Sequence, residues 1–247
     1  MLILHIPHAS STIPADVRDQ FLLSDADLAD ELVHMTDHAT DELFASIDAP
    51  RVVHEVSRLV VDPERFADDA DEPMSRRGMG AVYTHGYRGT RIRRDLRPAE
   101  RERLLSRFYE PHHARLEALV DQALSRDGRC TIVDCHSFAS TPLPYEPDQD
   151  PARPAICLGT DAFHTPADLL NRARAFLRER GYEVAIDRPY GGSIVPRSRY
   201  RRDARVRSIM VEVRRDLYVD EESGAPGLGF AGVHADIAAL AGVLVEW

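Results

Sequence analysis

Short apolar runs alternate along the chain with longer segments in which apolar residues recur every three or four positions. The short runs predict buried strands, and the longer segments predict helices with one apolar face. We predict strands at residues 2–6, 51–55, 58–61, 81–84, 130–134, 155–158, 183–186 and 207–213. We predict helices at residues 25–44, 98–125, 166–180 and 232–244, the second of them kinked or split at Pro111.

Strands that alternate with amphipathic helices are typical of an α/β protein. Because most of the apolar runs carry no polar face, the sheet is expected to be covered on both sides. We therefore predict one domain over residues 1–247, a three-layer α/β/α arrangement with a mixed, mostly parallel sheet. Three segments, 62–80, 137–154 and 188–205, are too long for simple connections, and we expect them to form active-site walls.

The composition excludes several kinds of chemistry. All 31 basic residues are arginine, and the absence of lysine excludes a Schiff-base enzyme, a pyridoxal-phosphate enzyme and a Walker phosphate loop. The 41 acidic residues bring the net charge to −10, which argues against non-specific binding of nucleic acid.

The cysteines and the apolar stretches bear on location. Cys130, Cys135 and Cys157 form no Cys-x-x-Cys pair, so we expect neither a disulfide framework nor a zinc knuckle, and a reducing cytoplasm is the expected compartment. The N-terminal apolar run is too short for a signal peptide, and no stretch approaches the ~18–20 apolar residues of a membrane span.

Polar residues follow three of the predicted strands. His8 comes after the first strand, His136 after the strand at 130–134, and Glu212 lies near the end of the last. Open α/β sheets bind ligands beyond the carboxyl ends of their strands, so these side chains are expected to converge. Two imidazoles can hold zinc while a carboxylate takes a proton from water, which predicts a hydrolytic metal site. Asp134 shares a strand face with His136 and could orient its imidazole.

Such a site needs a third ligand. The predicted helix 25–44 carries His34, Asp37, His38 and Asp41 at spacings that place them on one helix face. We select Asp37, and leave His38 and a group nearer the N-terminus as alternatives.

Five segments resemble the N-formylglutamate amidohydrolase family across more than two hundred residues. They are His5–Ser10 with Ile13-Pro14, Thr36–Asp41, Val56–Asp62 with Arg65, Asp134–Ser137, and Glu212–Tyr218. That family is similar in fold to zinc carboxypeptidases and aspartoacylases, which share the zinc-dependent exopeptidase (phosphorylase/hydrolase-like) fold.

In those enzymes a strand-end His-Ser-aromatic supplies a zinc ligand, and a strand-end Glu-x-Arg supplies the general base. His136-Ser137-Phe138 and Glu212-Val213-Arg214 resemble these two motifs. The chain departs from the carboxypeptidase-like His-x-x-Glu, because it reads His8-Ala9-Ser10-Ser11. A serine is a poor substitute for that carboxylate, and this is why Asp37 is selected as the third ligand.

The resemblance implies a metal-dependent amidohydrolase that cleaves N-formyl-L-glutamate to formate and L-glutamate, a reaction of histidine degradation. The metal, with zinc as the expected ion, would be held by His8, Asp37 and His136, and Glu212 would be the general base.

The implied substrate is a small anionic amino-acid derivative with two carboxylates, which arginine binds bidentately. The substrate-binding candidates are Arg58, Arg65, Arg214, the arginines of the segment 191–199, and Gly191 and Gly192, where the backbone could approach a ligand closely. Arg65 could also stabilise the oxyanion.

Two other hypotheses stay open. The same machinery could cleave a related N-acyl amino acid or a carboxypeptidase-like amide, or the arginine-rich loops could form a non-catalytic module that binds anions. No Gly-x-Ser-x-Gly motif is present, which argues against a serine hydrolase. His112 and His113 are expected to be structural or exposed. The pattern of residues does not predict an oligomeric state.

Overall fold

Six strands form one sheet within residues 1–245, the part of the chain that this computed structural model describes. The strands are β1 (Leu2–Ile6), β2 (Arg51–Val53), β3 (Cys130–Phe138), β4 (Ile156–Gly159), β5 (Val184–Ile186) and β6 (Val206–Arg214). Their order is β2-β1-β3-β6-β4-β5, and β2, β1, β3 and β6 are mutually parallel while β4 pairs with β6 in the antiparallel sense. The predicted mixed, mostly parallel sheet is confirmed. Glu246 and Trp247, the end of the predicted 1–247 domain, lie outside the described residues.

Helices cover both faces of this sheet. They are α1 (Asp25–Met35), α2 (Thr40–Leu43), α3 (Pro98–Leu104), α4 (Glu110–Asp127), α5 (Ala167–Glu179) and α6 (Phe230–Leu244). Leu116 and Val120 of α4 pack with Ile3 and Ile132 on one face. Helices α2, α5 and α6 bury their apolar sides on the other face, where Cys135 also points. The predicted three-layer α/β/α architecture is therefore confirmed.

The central strands end at one edge of the sheet. Strands β1, β3 and β6 are neighbours and run in the same direction, so the residues that follow them meet at their carboxyl ends. The register of β3 on β6 places His136 directly beside Glu212.

Two of the predicted strands are wrong. Residues 58–61 form a turn, in which the Val60 amide donates to the Ser57 carbonyl, and residues 81–84 are irregular. Both segments are buried, but neither pairs with the sheet. The buried guanidinium of Arg93 donates to the carbonyls of Leu59 and Val60, so a side chain satisfies groups that a neighbouring strand would otherwise bind.

Two of the predicted helices are interrupted. The predicted helix 25–44 ends at Met35, because Thr36 is extended and Ala39 is left-handed with φ of 54° before α2 begins. In the predicted helix 98–125, residues Leu105–Tyr109 form a π-helical turn between α3 and α4, just before Pro111. Among residues 1–245, none of the helices is both long and apolar enough to cross a membrane.

Candidate active site

Three side chains converge at the carboxyl ends of the central strands, where β3 extends past the predicted end at 134 and includes His136. His136 Nδ1 lies 3.1 Å from Asp37 Oδ2, and His8 Nδ1 lies 3.7 Å from the same oxygen. The ligand atoms of all three residues lie within 4.8 Å of one another, and all three side chains are buried. Two imidazole nitrogens and one carboxylate oxygen at such distances could hold a metal ion.

Asp37 reaches this cluster from a connection and not from a helix face. The Asp37 amide donates to the His8 carbonyl at 3.0 Å, which fixes the connection after α1 against the end of β1. His34 bonds to the Asp30 carbonyl, His38 bonds to the Val33 carbonyl, and Asp41 is exposed. The expected single helix face is therefore wrong, because the helix ends before Asp37, and only Asp37 of the four residues joins His8 and His136.

Carboxylates bind the far nitrogens of both histidines. Asp62 Oδ1 accepts from His8 Nε2 at 2.9 Å, and Asp134 Oδ1 accepts from His136 Nε2 at 3.1 Å. Glu64 also lies 3.2 Å from His136 Nε2. A carboxylate on one ring nitrogen holds the proton there and leaves the other nitrogen available as a ligand, which is the usual environment of histidines that bind metals.

Arg215 fixes Asp37. Its Nη2 donates to Asp37 Oδ1 at 2.9 Å, its Nε donates to Ser137 Oγ at 3.1 Å, and its Nη1 donates to the His34 carbonyl at 2.9 Å. The other oxygen of Asp37 accepts from the Ser137 amide and faces the two histidines. Arg215 therefore orients one carboxylate oxygen of Asp37 toward the cluster.

Opposite charges dominate the electrostatics here. Burial alone would lower the pKa of His136, but the carboxylates of Glu64, Asp134 and Asp37 raise it well above its usual range. Burial alone would raise the pKa of Asp37, and the hydrogen bond with His136, the imidazole of His8 at 3.7 Å and the charge of Arg215 bring it well below normal. The cluster therefore favours a positive charge among its carboxylates, as a cation site does.

Glu212 lies beside this cluster, on the face of β6 that lines the same cavity. It is 6% exposed, and its Oε2 has no hydrogen-bond partner among the described residues. Burial raises the pKa of Glu212 to about 8, an effect that Asp37 and Glu64 reinforce and that His136 and Arg215 oppose. A buried carboxylate with an unpaired oxygen is costly to maintain, which indicates a functional group.

The donor set fits a divalent ion. His8 Nδ1 is buried without a hydrogen-bond partner among residues 1–245, although it faces the Asp37 carboxylate. His136 presents its Nδ1 to the same carboxylate. The chemistry and the distances of these atoms therefore suit a cation bound by two imidazoles and one carboxylate.

A cavity of about 160 Å³ opens onto these groups. Residues from all three long segments line it, including Glu64 and Arg65, Tyr145 and Glu146, and Tyr190 and Gly191. Arg58, Arg65 and Arg215 bring positive charge to a cavity of an otherwise acidic protein. The combination of titratable groups and arginines suits a small anionic ligand.

Comparison with known proteins identifies the family of this chain. A sequence profile of N-formylglutamate amidohydrolase matches residues 1–219. The chain belongs to the N-formylglutamate amidohydrolase family. The family establishes an amidohydrolase and thus an enzyme, and it confirms the resemblance found in the five segments.

Solved structures share the fold of this family member. The crystal structure of N-formylglutamate amidohydrolase from Ralstonia eutropha JMP134 is 27% identical, with a TM-score of 0.82 over 97% of this chain and 91% of that one. Gene product Atu2144 from Agrobacterium tumefaciens is 22% identical, with a TM-score of 0.69 over 99% and 92% of the two chains, and shows a similar fold. A search among curated proteins found no match.

The substrate-binding candidates of this amidohydrolase are not all placed alike. Arg58, Arg65 and Gly191 line the cavity, whereas Gly192 and Arg214 do not. Arg214 donates to Asp216 and to the Arg153 carbonyl, because the strand gives way at Arg215 to a 3₁₀ turn that directs Arg215 inward instead.

The segment 191–199 brings no arginine to the cavity, and its Arg199 bonds instead to Asp121 on α4.

Several residues at the site carry no prediction from the sequence. Asp62 accepts from Arg58 Nη2 at 2.8 Å and from the Tyr83 hydroxyl at 2.8 Å, and these two donors fix the carboxylate that binds His8. An acidic residue directly after the apolar run 59–61 was the available signal for Asp62. Glu64 and Tyr145 were marked only by their place in the segments 62–80 and 137–154, which were expected to form active-site walls.

Proposed function

We propose that this chain hydrolyses the amide bond of an N-formyl acidic amino acid, with N-formyl-L-glutamate as the first candidate and formate and L-glutamate as products. The observation that carries the proposal is the convergence of His8, Asp37 and His136 beside Glu212, a buried carboxylate with an unpaired oxygen. Family membership supports the same substrate. A cytoplasmic location and a role in histidine degradation stay predictions.

The proposed cofactor is a divalent metal ion, with zinc as the expected ion. His8 Nδ1, His136 Nδ1 and a carboxylate oxygen of Asp37 would hold it, a donor set that hydrolytic zinc enzymes use. When bound, such an ion supplies Lewis acidity that polarises an amide carbonyl and makes water more acidic.

Glu212 is the proposed general base. Its Oε2 accepts a proton from the attacking water as the new bond forms between the water oxygen and the formyl carbon. The carbon–nitrogen bond then breaks, and Glu212 returns the proton to the leaving amine nitrogen. A pKa near neutrality, as burial gives to Glu212, suits a group that must both take and release this proton.

Arg65 is the proposed anchor for a substrate carboxylate. Its side chain is 24% exposed and lines the cavity, and its buried Nε has no hydrogen-bond partner among residues 1–245. The Nε and Nη2 of Arg58 are engaged with Asp62, so Arg58 contributes chiefly its positive charge. Arg215 is occupied with Asp37 and Ser137. Arg65 is therefore best placed to bind a carboxylate, or to stabilise the oxyanion.

A second candidate function is hydrolysis of a larger N-acyl amino acid. A neighbouring cavity of about 650 Å³ shares Ala139, Leu143 and Arg215 with the active-site cavity. It is large enough to receive a longer acyl group or a peptide extension, and His34 stacks on Tyr87 in its wall. This observation supports the broader substrate range that shared amidohydrolase machinery allows.

A substrate panel tests the proposal. The purified chain with zinc added would be assayed on N-formyl-L-glutamate, N-acetyl-L-glutamate, N-formyl-L-leucine and a dipeptide. We expect the highest kcat/KM for N-formyl-L-glutamate and at least a tenfold loss for N-formyl-L-leucine, which lacks the second carboxylate. Preference for the acetyl compound or the dipeptide would favour the second function. Binding of N-formyl-L-glutamate without hydrolysis of any compound would favour a non-catalytic module.

A further inference from the structure

Buried polar side chains extend from His136 into the layer between the sheet and α4. Asp134 Oδ1, which accepts from His136 Nε2 at 3.1 Å, also accepts from His5 Nδ1 at 2.7 Å. His5 Nε2 lies 2.8 Å from His112 Nε2 on α4. All four side chains are buried. Together, His136, Asp134, His5 and His112 form a hydrogen-bonded network that leads away from the cavity.

This network lies beside the apolar side chains of Ile3, Ile132 and Leu116, and the imidazole of His54 packs against His112. Burying polar groups in such surroundings is costly unless each has a partner. The second oxygen of Asp134 accepts from the Ile194 amide at 3.0 Å, so both of its oxygens have donors. A hydrogen-bonded network of this kind holds its members in a defined geometry, which makes it suitable for positioning a side chain.

The hydrogen bonds of this network assign its protons. Burial and the neighbouring histidines lower the pKa of His112, which keeps its imidazole neutral. A neutral His112 that donates from Nε2 to His5 Nε2 leaves His5 Nδ1–H to donate to Asp134. Asp134 then accepts the Nε2–H of His136, and His136 Nδ1 is left facing Asp37. These tautomers are assigned from the hydrogen-bond network.

The same residues do not form a second metal site. His5, Glu64 and Asp134 also present ligand atoms within 4.8 Å of one another. Both nitrogens of His5 and both oxygens of Asp134, however, already have hydrogen-bond partners. The group therefore fits an orienting role better than a second ion.

The local structure of α4 brings His112 to this position. The π-helical turn Leu105–Tyr109 precedes the helix, and Pro111, which has no amide hydrogen, stands one residue before His112. Such wide turns within helices frequently accompany functional sites. Here the turn precedes the residue that contacts His5.

We propose that His5, supported by His112, is a positioning residue that orients His136 through Asp134. The inference rests on the proposed metal site, in which His136 is a ligand. In this arrangement His5 and His112, which lie two and three contacts away from His136, set the affinity of that site. Loss of an outer partner of a histidine ligand typically lowers metal affinity 10–100-fold.

Two substitutions at one position provide the test. His5→Leu removes both hydrogen bonds, whereas His5→Asn offers an amide N–H in place of the Nδ1–H that Asp134 accepts. Zinc affinity of the metal-free full chain would be measured by competition with a chelating dye. We expect a 10–100-fold weaker affinity for His5→Leu, and only a several-fold loss for His5→Asn, which keeps the contact with Asp134 and loses only the contact with His112.

His164→Gln is the matched control, because His164 is also buried but bonds to the Val206 carbonyl and the Arg201 amide, away from the cluster. It should keep the wild-type zinc affinity. If His5→Leu does not fold, His112→Phe provides the second test, since it removes only the donor to His5 Nε2 and should also weaken zinc binding several-fold.

The outcomes separate the two proposals. Wild-type zinc affinity in a folded His5→Leu or His112→Phe variant would overturn the positioning role and leave the proposed function intact. Equal losses in His5→Leu and His5→Asn would also overturn it, because a merely structural role does not distinguish these variants. Failure of the wild-type chain to bind zinc would overturn the metal site itself, and the positioning role with it.

Discussion

His136 and Glu212 are direct partners in the parallel register of β3 and β6. The proposed metal ligand and the proposed base are therefore positioned by the same two strands, each of which is buried along the run that leads to the site. Because both residues project from regular strands rather than from loops, their separation depends on sheet geometry.

Glu212→Gln should separate metal binding from catalysis. The amide keeps the shape of the side chain but cannot accept the proton of the attacking water, and general acid–base catalysis contributes typically 10²–10⁴-fold. We expect kcat to fall at least about 100-fold while zinc content stays at the wild-type level. Glu179→Gln, at an exposed position, is the control. Substantial turnover by the Glu212→Gln protein would rule out this base.

Arg65→Gln should impair the use of anionic substrates. Removal of the Arg65 guanidinium from the cavity is expected to lower kcat/KM for N-formyl-L-glutamate by roughly 10²-fold. Arg214→Gln should change it much less, because Arg214 donates to Asp216 and Arg153 outside the cavity. Steady-state kinetics of the two variants distinguish them, and a larger effect at Arg214 would reverse the assignment.

Strand periodicity predicted the core of the candidate site. His8, His136 and Glu212 were selected because each follows or ends a buried run, and parallel neighbours bring such ends together. Arg214 belongs to the segment Glu212-Val213-Arg214, which resembles a Glu-x-Arg motif, but the turn at Arg215 interrupts the strand period and directs the next side chain inward. Sequence patterns do not reveal where regular geometry stops.

Arg93→Met should destabilise the fold near the site. The buried guanidinium donates to the carbonyls of Leu59 at 2.8 Å and Val60 at 3.3 Å, and methionine leaves these acceptors unpaired. We expect the free energy of unfolding to fall by about 1–3 kcal/mol, measured by urea denaturation. Arg103→Met, at an exposed position on α3, should have little effect. Equal stability of the two variants would contradict the role of Arg93.

The hydrogen bonds from Arg93 explain why the segment 58–61 is not a strand. Its apolar residues are buried as predicted, but the polar groups of its backbone bind a side chain from a distant position. Asp62 follows this turn and contacts His8, so the irregular segment serves the site directly. Local apolar patterning predicts burial, whereas it does not reveal which distant group pairs with the backbone.

Acid should destabilise the metal-free protein through buried histidines. Burial lowers the pKa of His54 and of His113 to about 4 in each case, whereas both titrate near 6.5 when unfolded. The unfolded chain therefore binds more protons between these values, so their contribution to stability is complete above pH 6.5 and is lost as the pH falls toward 4.

His113→Gln tests one of these groups. Glutamine can still donate to the Pro63 carbonyl, which lies 2.8 Å from His113 Nε2, but it does not titrate. The free energy of unfolding of the wild type should fall more steeply than that of the variant between pH 6.5 and 4, by up to about 3 kcal/mol. Parallel pH dependences would show that His113 is not held neutral by burial.

The most direct test of the proposed function is formate release from N-formyl-L-glutamate as zinc is added to the metal-free chain. The predicted result is negligible release without metal and a rise that saturates near one equivalent of zinc, with no rise in the His136→Ala variant. Formate release by the metal-free wild type at the full rate, or none at any zinc concentration, would contradict a catalytic metal held by His8, Asp37 and His136.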